Sequence, residues 1–130
     1  MADITVTNTK ITALNDFKVL TANAATETTD ATAQTFTFTP TGKDNHAVIV
    51  VSCASADGLT VTVTGGDGPF SMGALTDTIG TAAGLYAFQI ETGRYMQSDG
   101  TIDIAFQPPA SKDLVNDLAL KVYVIECLPN

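Results

Sequence analysis

Residues 84–107 decide the fold expected of this chain, and they read GLYAFQIETGRYMQSDGTIDIAFQ. Three runs of strand length are separated by Thr92-Gly93 and Asp99-Gly100, which are dipeptides typical of turns. In the first and third runs apolar and polar residues alternate strictly, as in a strand with one buried face. The apolar positions of those runs are Tyr86, Phe88, Ile90, Ile102, Ile104 and Phe106. The stretch therefore predicts three short strands joined by tight turns.

The Asp99-Gly100 pair predicts a two-residue hairpin turn, because primed turns need positive φ at both central positions. In this register Tyr95 joins the core face. Arg94 then lies diagonally across from Asp103, and such an exposed ion pair contributes about 0.2–1 kcal/mol. The alternative is a three-residue turn with a left-handed glycine, which shifts the register by one and buries Met96 instead.

Other strands are indicated by alternation or by β-branched apolar runs, at residues 35–39, 47–54, 59–64 and 118–128. The run 47–54 is apolar on both faces, which favours a central strand covered on each side. Residues 69–83 lack a period and are expected to form a long loop. Residues 111–117 could supply one helical turn.

These patterns predict an all-β fold with about eight strands and almost no helix. Two packed sheets are the usual way for such a chain to bury its apolar faces, so a single β-sandwich domain is expected. A jelly roll is favoured over an immunoglobulin-like sandwich, because long connections suit crossings between sheets. Within the domain we expect an N-terminal strand or arm at 1–20, a polar crossover loop at 21–34 and the sandwich body at 35–130.

The charge and composition narrow the classes of partner. The chain has 130 residues, a net charge of −8 and only six lysine and arginine residues. This sign disfavours binding to nucleic acid and to anionic membranes. No apolar run approaches the ~20 residues of a membrane span. The N-terminus lacks the pattern of a signal peptide, so synthesis in the cytoplasm is expected.

Residues that could carry chemistry are few, and no cofactor and no enzymatic activity are expected. The single histidine, His46, lies in a turn without a nucleophile motif beside it. Cys53 and Cys127 lie in apolar strand patterns and are expected to be buried reduced thiols, with a disulfide between neighbouring strands as the alternative. Three acidic turn residues are candidates for a calcium site, although each precedes a glycine and is explained by turn geometry: Asp57, Asp67 and Asp99.

Two segments of the chain resemble a known family. Residues 36–45 read FTFTPTGKDN and are followed by VIVV at 48–51, while residues 90–100 read IETGRYMQSDG and are followed by Ile102. Over roughly residues 30–127 the chain is similar to the capsid decoration proteins of tailed bacteriophages and prophages, which are also called auxiliary or cement proteins. The similarity lies in the pattern of strands and turns.

The resemblance implies a structural role on the outer surface of a virion. Such a protein binds the assembled head after expansion, bridges subunits of the major capsid protein and stabilises the shell. A homo-oligomer is implied, with a trimer favoured over a monomer. Apolar residues in irregular segments have no obvious place in the sandwich core, so they are the expected contacts with the capsid or with other protomers: Ile4, Val6, Phe17, Phe70, Met72, Leu75 and Ile79.

Two other functions remain open from the residues. One is a carbohydrate- or receptor-binding β-sandwich of a phage fibre or a cell surface, which requires exposed aromatic residues. The other is a tail-tube or connector subunit, which would form rings or tubes by itself. An enzyme is disfavoured, because paired acid and base residues or an activated nucleophile are not evident.

Overall fold

The computed structural model describes residues 3–15, 17–41, 46–54, 58–67, 73–79 and 84–127. Within these ranges the chain forms ten strands and one four-residue helix. The elements are β1 (Ile4–Thr5), β2 (Thr9–Ile11), β3 (Asn23–Ala24), β4 (Gln34–Phe38), β5 (His46–Cys53), β6 (Leu59–Val63), β7 (Leu75–Ile79), β8 (Gly84–Glu91), α1 (Thr92–Tyr95), β9 (Ile102–Gln107) and β10 (Lys121–Cys127). In these ranges no helix is both long enough and apolar enough to cross a membrane.

The strands form two sheets that pack face to face. Sheet A has the order β1-β4-β9-β6-β7, and sheet B has the order β2-β10-β5-β8, with β3 also paired to β10. Among the described strands from β4 onward, only β6 and β7 are both consecutive in the sequence and adjacent in a sheet. The chain otherwise crosses between the sheets, as the long connections predicted. The expected single-domain, all-β sandwich is confirmed.

The N-terminal residues contribute a strand to each sheet. β1 lies parallel to β4, with Ile4 opposite Phe36. β2 lies parallel to the end of β10, with Thr9 opposite Ile125. Between the two strands, the amide of Val6 donates to the Thr37 carbonyl at 2.8 Å. Residues 3–11 are therefore part of the sandwich, and not an arm that extends from it.

The core is built from the alternate residues that the sequence pattern identified. β4, β6 and β9 each alternate buried and half-buried positions along their apolar segments. Phe36 of β4 meets Phe106 of β9 edge to face, with ring centroids 5.1 Å apart and planes at 79°. Side chains that are fully or almost fully buried include Phe38, Ile49, Leu59, Ile102, Ile104, Leu114 and Leu118.

The middle run of the stretch 84–107 is not a strand, and the two-residue hairpin predicted there is wrong. Thr92–Tyr95 form α1, and β9 pairs instead with β4 and β6. Both edges of β9 are thus occupied, which leaves no edge for residues 94–98. Tyr95 and Met96 still contact the core, from the short helix and the segment after it.

The turn that precedes β9 is the three-residue alternative. The Gly100 amide donates to the Gln97 carbonyl at 2.9 Å, and the Gln97 amide donates to the Thr101 carbonyl at 2.8 Å. Gly100 has a φ of 85°, which favours glycine. The predicted pair of Arg94 and Asp103 is also wrong, because the Arg94 Nε lies 2.8 Å from Glu91 Oε2. Asp103 accepts hydrogen bonds from Thr37 and Gln97.

Two further expectations are corrected by the sheets. The segment 69–83 contains a strand, β7, which pairs antiparallel with β6. β5 lies between β10 and β8 but is covered on one face only, because Val48 and Val50 are half-exposed. Its β-branched composition reflects strand propensity more than burial.

The final strand carries a buried carboxylate that its sequence pattern does not reveal. Glu126 lies on the inward face of β10, fully buried. Its Oε1 accepts from Asn8 Nδ2 at 2.6 Å and its Oε2 accepts from the Thr41 amide at 3.0 Å. The side chain therefore links β10 to the segment between β1 and β2 and to the residues after β4.

We expect Phe36→Ala to lower the free energy of unfolding by about 3–5 kcal/mol, because it removes a fully buried ring and leaves a cavity against Phe106. The control is Leu85→Ala, whose side chain is 72% exposed; that change should stay within about 0.5 kcal/mol. Urea denaturation measures both. Equal effects of the two substitutions would contradict the assigned core.

We expect Gly66→Ala to destabilise the fold by roughly 1–3 kcal/mol, the usual cost of forcing atoms into a packed site. A Cβ at this position would lie 2.8 Å from the Met96 carbonyl oxygen and 2.9 Å from that of Arg94. Thr64→Ala, an exposed neighbour, is the control and should have little effect. A thermal melt of Gly66→Ala that matches the parent protein would show that residues 64–67 do not approach residues 94–96.

Candidate contact surfaces

An apolar loop projects from one edge of sheet B. Residues 12–22 connect β2 to β3, and both strands pair with β10. We call this segment, of which all residues but Asp16 are described, the finger. The backbone leaves and returns at nearly the same place, because the Thr21 amide donates to Thr9 Oγ1 at 3.2 Å.

The finger exposes large apolar side chains to solvent. Leu14 is 86% exposed, Phe17 is 96% exposed and Val19 is 92% exposed, while Leu20 is 40% exposed. Single exposed apolar residues are common on soluble proteins, but a contiguous group usually marks an interaction surface. The finger is therefore the strongest candidate for a contact among the described residues.

Asn23 fixes the base of the finger. Its Oδ1 accepts from the Thr7 amide at 2.9 Å, and its Nδ2 donates to the Val122 carbonyl at 2.9 Å and to the Thr21 carbonyl at 3.2 Å. The residue is 8% exposed. One buried amide thus holds three chain segments together, and the exposed residues of the finger extend from a rigid base.

The second surface is a cleft at the other side of the sandwich. β7 is the last strand of sheet A and β8 is the last strand of sheet B, and a cleft of about 290 Å³ opens between them. We call it the β7–β8 cleft. Of the described residues that line it, Asp77 is the charged one and the others are mainly aliphatic or aromatic. The lining comprises Val51, Val61, Val63, Leu75, Asp77, Ile79, Tyr86, Ala87 and Phe88.

The predicted contact residues fall into separate places. Val6 is buried in the core, and Ile4 is partly buried and packs against it. Phe17 lies on the finger, whereas Leu75 and Ile79 line the β7–β8 cleft. Phe70 and Met72 lie outside the described residues. The structure thus does not gather the predicted contacts into one surface.

A shallow polar depression of about 520 Å³ lies near the start of β5 and the end of β8. Its lining includes His46, Gln89, Glu91, Arg94 and Tyr95. The Arg94 guanidinium lowers the pKa of the Glu91 carboxyl, chiefly through their hydrogen bond and then through charge, with a smaller contribution from His46. Both side chains are exposed, so this pair is a weak source of stability.

The acidic residues that were candidates for calcium have local hydrogen-bonding roles. Asp67 Oδ2 accepts from the Ser98 amide at 3.0 Å. Asp99 Oδ1 accepts from the Thr101 amide and hydroxyl, and these bonds lower the pKa of Asp99. Asp57 lies outside the described residues. Among the described residues, neither Asp67 nor Asp99 belongs to a group of three or more side chains that could hold a metal ion.

A different group of acids brings its carboxylate oxygens within 4.8 Å of one another: Asp30, Asp113 and Asp117. Asp113 is buried and accepts from the amides of Asn116 and Asp117 at 3.0 Å. The hydrogen bond from the Asn116 amide is the main cause of its lowered pKa. The carboxylate therefore caps a hydrogen-bonded turn at 114–118, within the segment 111–117 where a helical turn was expected. Ala119 ends this turn, because its amide donates to the Val115 carbonyl at 3.1 Å while its φ is 48°.

The two cysteines are free thiols with different environments. Cys53 is buried, as expected, and burial raises its pKa. Cys127 is exposed, which contradicts the expectation of a buried thiol. Successive residues of a strand point to opposite faces. Because Glu126 points inward, Cys127, the next residue of β10, points to the opposite face and is exposed.

The sequence matches no model of a known protein family and no curated protein.

We expect Asn23→Ala to lower the free energy of unfolding by about 1–3 kcal/mol, because it removes the side-chain partner of the part-buried Thr7 amide and of the buried Val122 carbonyl. Amide hydrogen exchange of residues 9–22 should accelerate more than that of β9. Thr12→Ala, an exposed change on the finger itself, is the control. Unchanged exchange at the finger base would contradict the role given to Asn23.

Proposed function

We propose that this chain is a non-enzymatic structural protein that decorates the capsid of a tailed bacteriophage or prophage. In this proposal it binds the outer surface of the assembled head, bridges neighbouring capsid subunits and stabilises the shell. The proposal begins from the resemblance of residues 30–127 to capsid decoration proteins. It is consistent with an all-β sandwich, which can present rigid loops without needing reactive groups.

The observation that carries the proposal is the finger. Leu14, Phe17 and Val19 are each more than 80% exposed, on a loop whose base is held by buried hydrogen bonds. Covering a large apolar side chain contributes about 1.5–3 kcal/mol relative to leaving it in water. A protein partner, rather than water, is the environment that this composition favours.

The physics of shell stabilisation fits a small adhesive protein. A molecule that binds the assembled lattice and not the free subunits stabilises the lattice by mass action. If each molecule touches more than one subunit, weak contacts combine through effective concentration. The net charge of −8 favours a basic contact region on the capsid, and attraction of this kind weakens as salt rises.

The direct test uses expanded heads of the parent phage that lack this protein. We expect the purified chain to sediment with these heads and to raise the temperature at which they break. Cryo-electron microscopy should show its density on the outer surface alone. Failure to bind expanded heads, or density confined to a tail or a fibre, would overturn the proposal.

We expect Phe17→Ser to weaken retention on heads by roughly tenfold to a hundredfold, which corresponds to the loss of one buried aromatic side chain. The substitution acts whether the finger contacts the shell or a neighbouring copy bound on it. The matched control is Leu85→Ser, a leucine that is 72% exposed on β8. If the two variants are retained on heads equally well, the finger does not contribute to the contact.

The second candidate function is a glycan- or receptor-binding module, and the polar depression favours it. Glu91, Arg94 and Gln89 offer hydrogen-bonding groups beside the ring of Tyr95, a combination that suits sugar hydroxyls and a sugar face. Binding on a glycan array that is lost in Arg94→Ala and retained in Phe17→Ser would favour this function over capsid decoration.

A further inference from the structure

We propose that the finger of one copy docks in the β7–β8 cleft of a second copy, so that the protein associates with itself through two different surfaces. The inference concerns the isolated protein and does not rest on the capsid. It joins two observations: an apolar loop that is almost fully exposed, and an apolar cleft that opens at the edge of the sandwich.

The two surfaces match in chemistry and size. An apolar cavity of about 150 Å³ can hold a benzene ring. The β7–β8 cleft has about 290 Å³ and is lined by side chains such as Val61, Leu75 and Phe88. It can therefore take the ring of Phe17 with part of a smaller neighbour such as Val19. Docking would cover apolar atoms on both copies, which is the main favourable term in protein association.

The charges also match. Lys18 is exposed on the finger between Phe17 and Val19, and it is one of only six lysine and arginine residues in the chain. Among the described residues that line the cleft, Asp77 is the charged one, and its charge is opposite to that of Lys18. If Phe17 and Val19 enter the cleft, Lys18 stays near its rim, within reach of Asp77. The pair would fix the direction in which the finger enters, since electrostatic matching gives specificity more than affinity.

The topology favours a second copy as the occupant. In sheet B the finger leaves from the β2 edge, whereas β8 lies at the opposite edge with β10 and β5 between them. Three steps of ~4.8 Å separate the two edge strands. Phe17 is 96% exposed, so the finger does not fill the cleft of its own chain. Donor and acceptor surfaces differ, which makes the contact heterologous, and contacts of this kind close into rings when the rotation permits.

The first test is a charge exchange read by sedimentation velocity over a range of concentrations. We expect the parent protein to associate, Lys18→Asp and Asp77→Lys each to weaken association about fivefold or more, and the double variant to recover most of it. Recovery is a readout that misfolding cannot produce. A parent protein that stays monomeric, or a double variant no better than the single ones, would overturn the proposal.

The second test traps the contact with a disulfide, in a Cys127→Ser background that removes the exposed native thiol. A Phe17→Cys variant is mixed with a Leu75→Cys variant under mild oxidation, and the product is a heterodimer. The control replaces Leu75→Cys by Thr76→Cys, the next residue of β7. Thr76 faces the other way, since its hydroxyl donates to Thr62 Oγ1 at 3.3 Å.

We expect the Phe17→Cys and Leu75→Cys pair to cross-link at least tenfold faster than the control pair. Equal rates, or no heterodimer in either mixture, would overturn the docking. Each variant is first compared with the parent by its thermal melt, so that an unfolded chain is not scored. Both tests use the protein without any head, so their failure is distinct from a failure of capsid binding.

Discussion

The burial of alternate side chains between the two sheets is the constraint on which the rest of this protein depends. β9 lies at its centre, because it pairs with β4 on one edge and β6 on the other while Ile104 and Phe106 point inward. The edge-to-face contact of Phe36 with Phe106 joins two strands that are distant in sequence. Because both edges of β9 are used, the chain before it must turn into α1 and the loop that follows.

The same constraint separates the interior from the contact surfaces. Val6 is buried in the core and Ile4 packs against it, because β1 and β2 join the two sheets, whereas the described residues between β2 and β3 belong to no strand. Leu14, Phe17 and Val19 are exposed for that reason. On the other side, β7 and β8 are the last strands of their sheets, and the core ends in an open apolar cleft.

Capsid decoration and self-association would use this arrangement in complementary ways. A sandwich with a rigid apolar loop at one edge and an apolar cleft at the other can link to its neighbours without changing its fold. The net charge of −8 opposes non-specific contacts between copies, so the proposed pairing of Lys18 with Asp77 would select one geometry among many. The polar depression around Glu91 and Arg94 differs from both surfaces in its chemistry, because its lining includes charged and polar side chains.

The sequence by itself determined the all-β class, the inward-facing residues of β4, β6, β8 and β9, and several of the turns between strands. These features depend on alternation and turn propensity, which are local properties of the chain. The sequence could not determine which strands are neighbours. The Asp99-Gly100 dipeptide favours a hairpin locally, and the tertiary structure overrode it because β4 and β6 occupy both edges of β9. The candidate surfaces depended on the same information: Phe17, Leu75 and Ile79 were identified as apolar residues, but the finger and the cleft exist only once the order of strands defines the edges of each sheet.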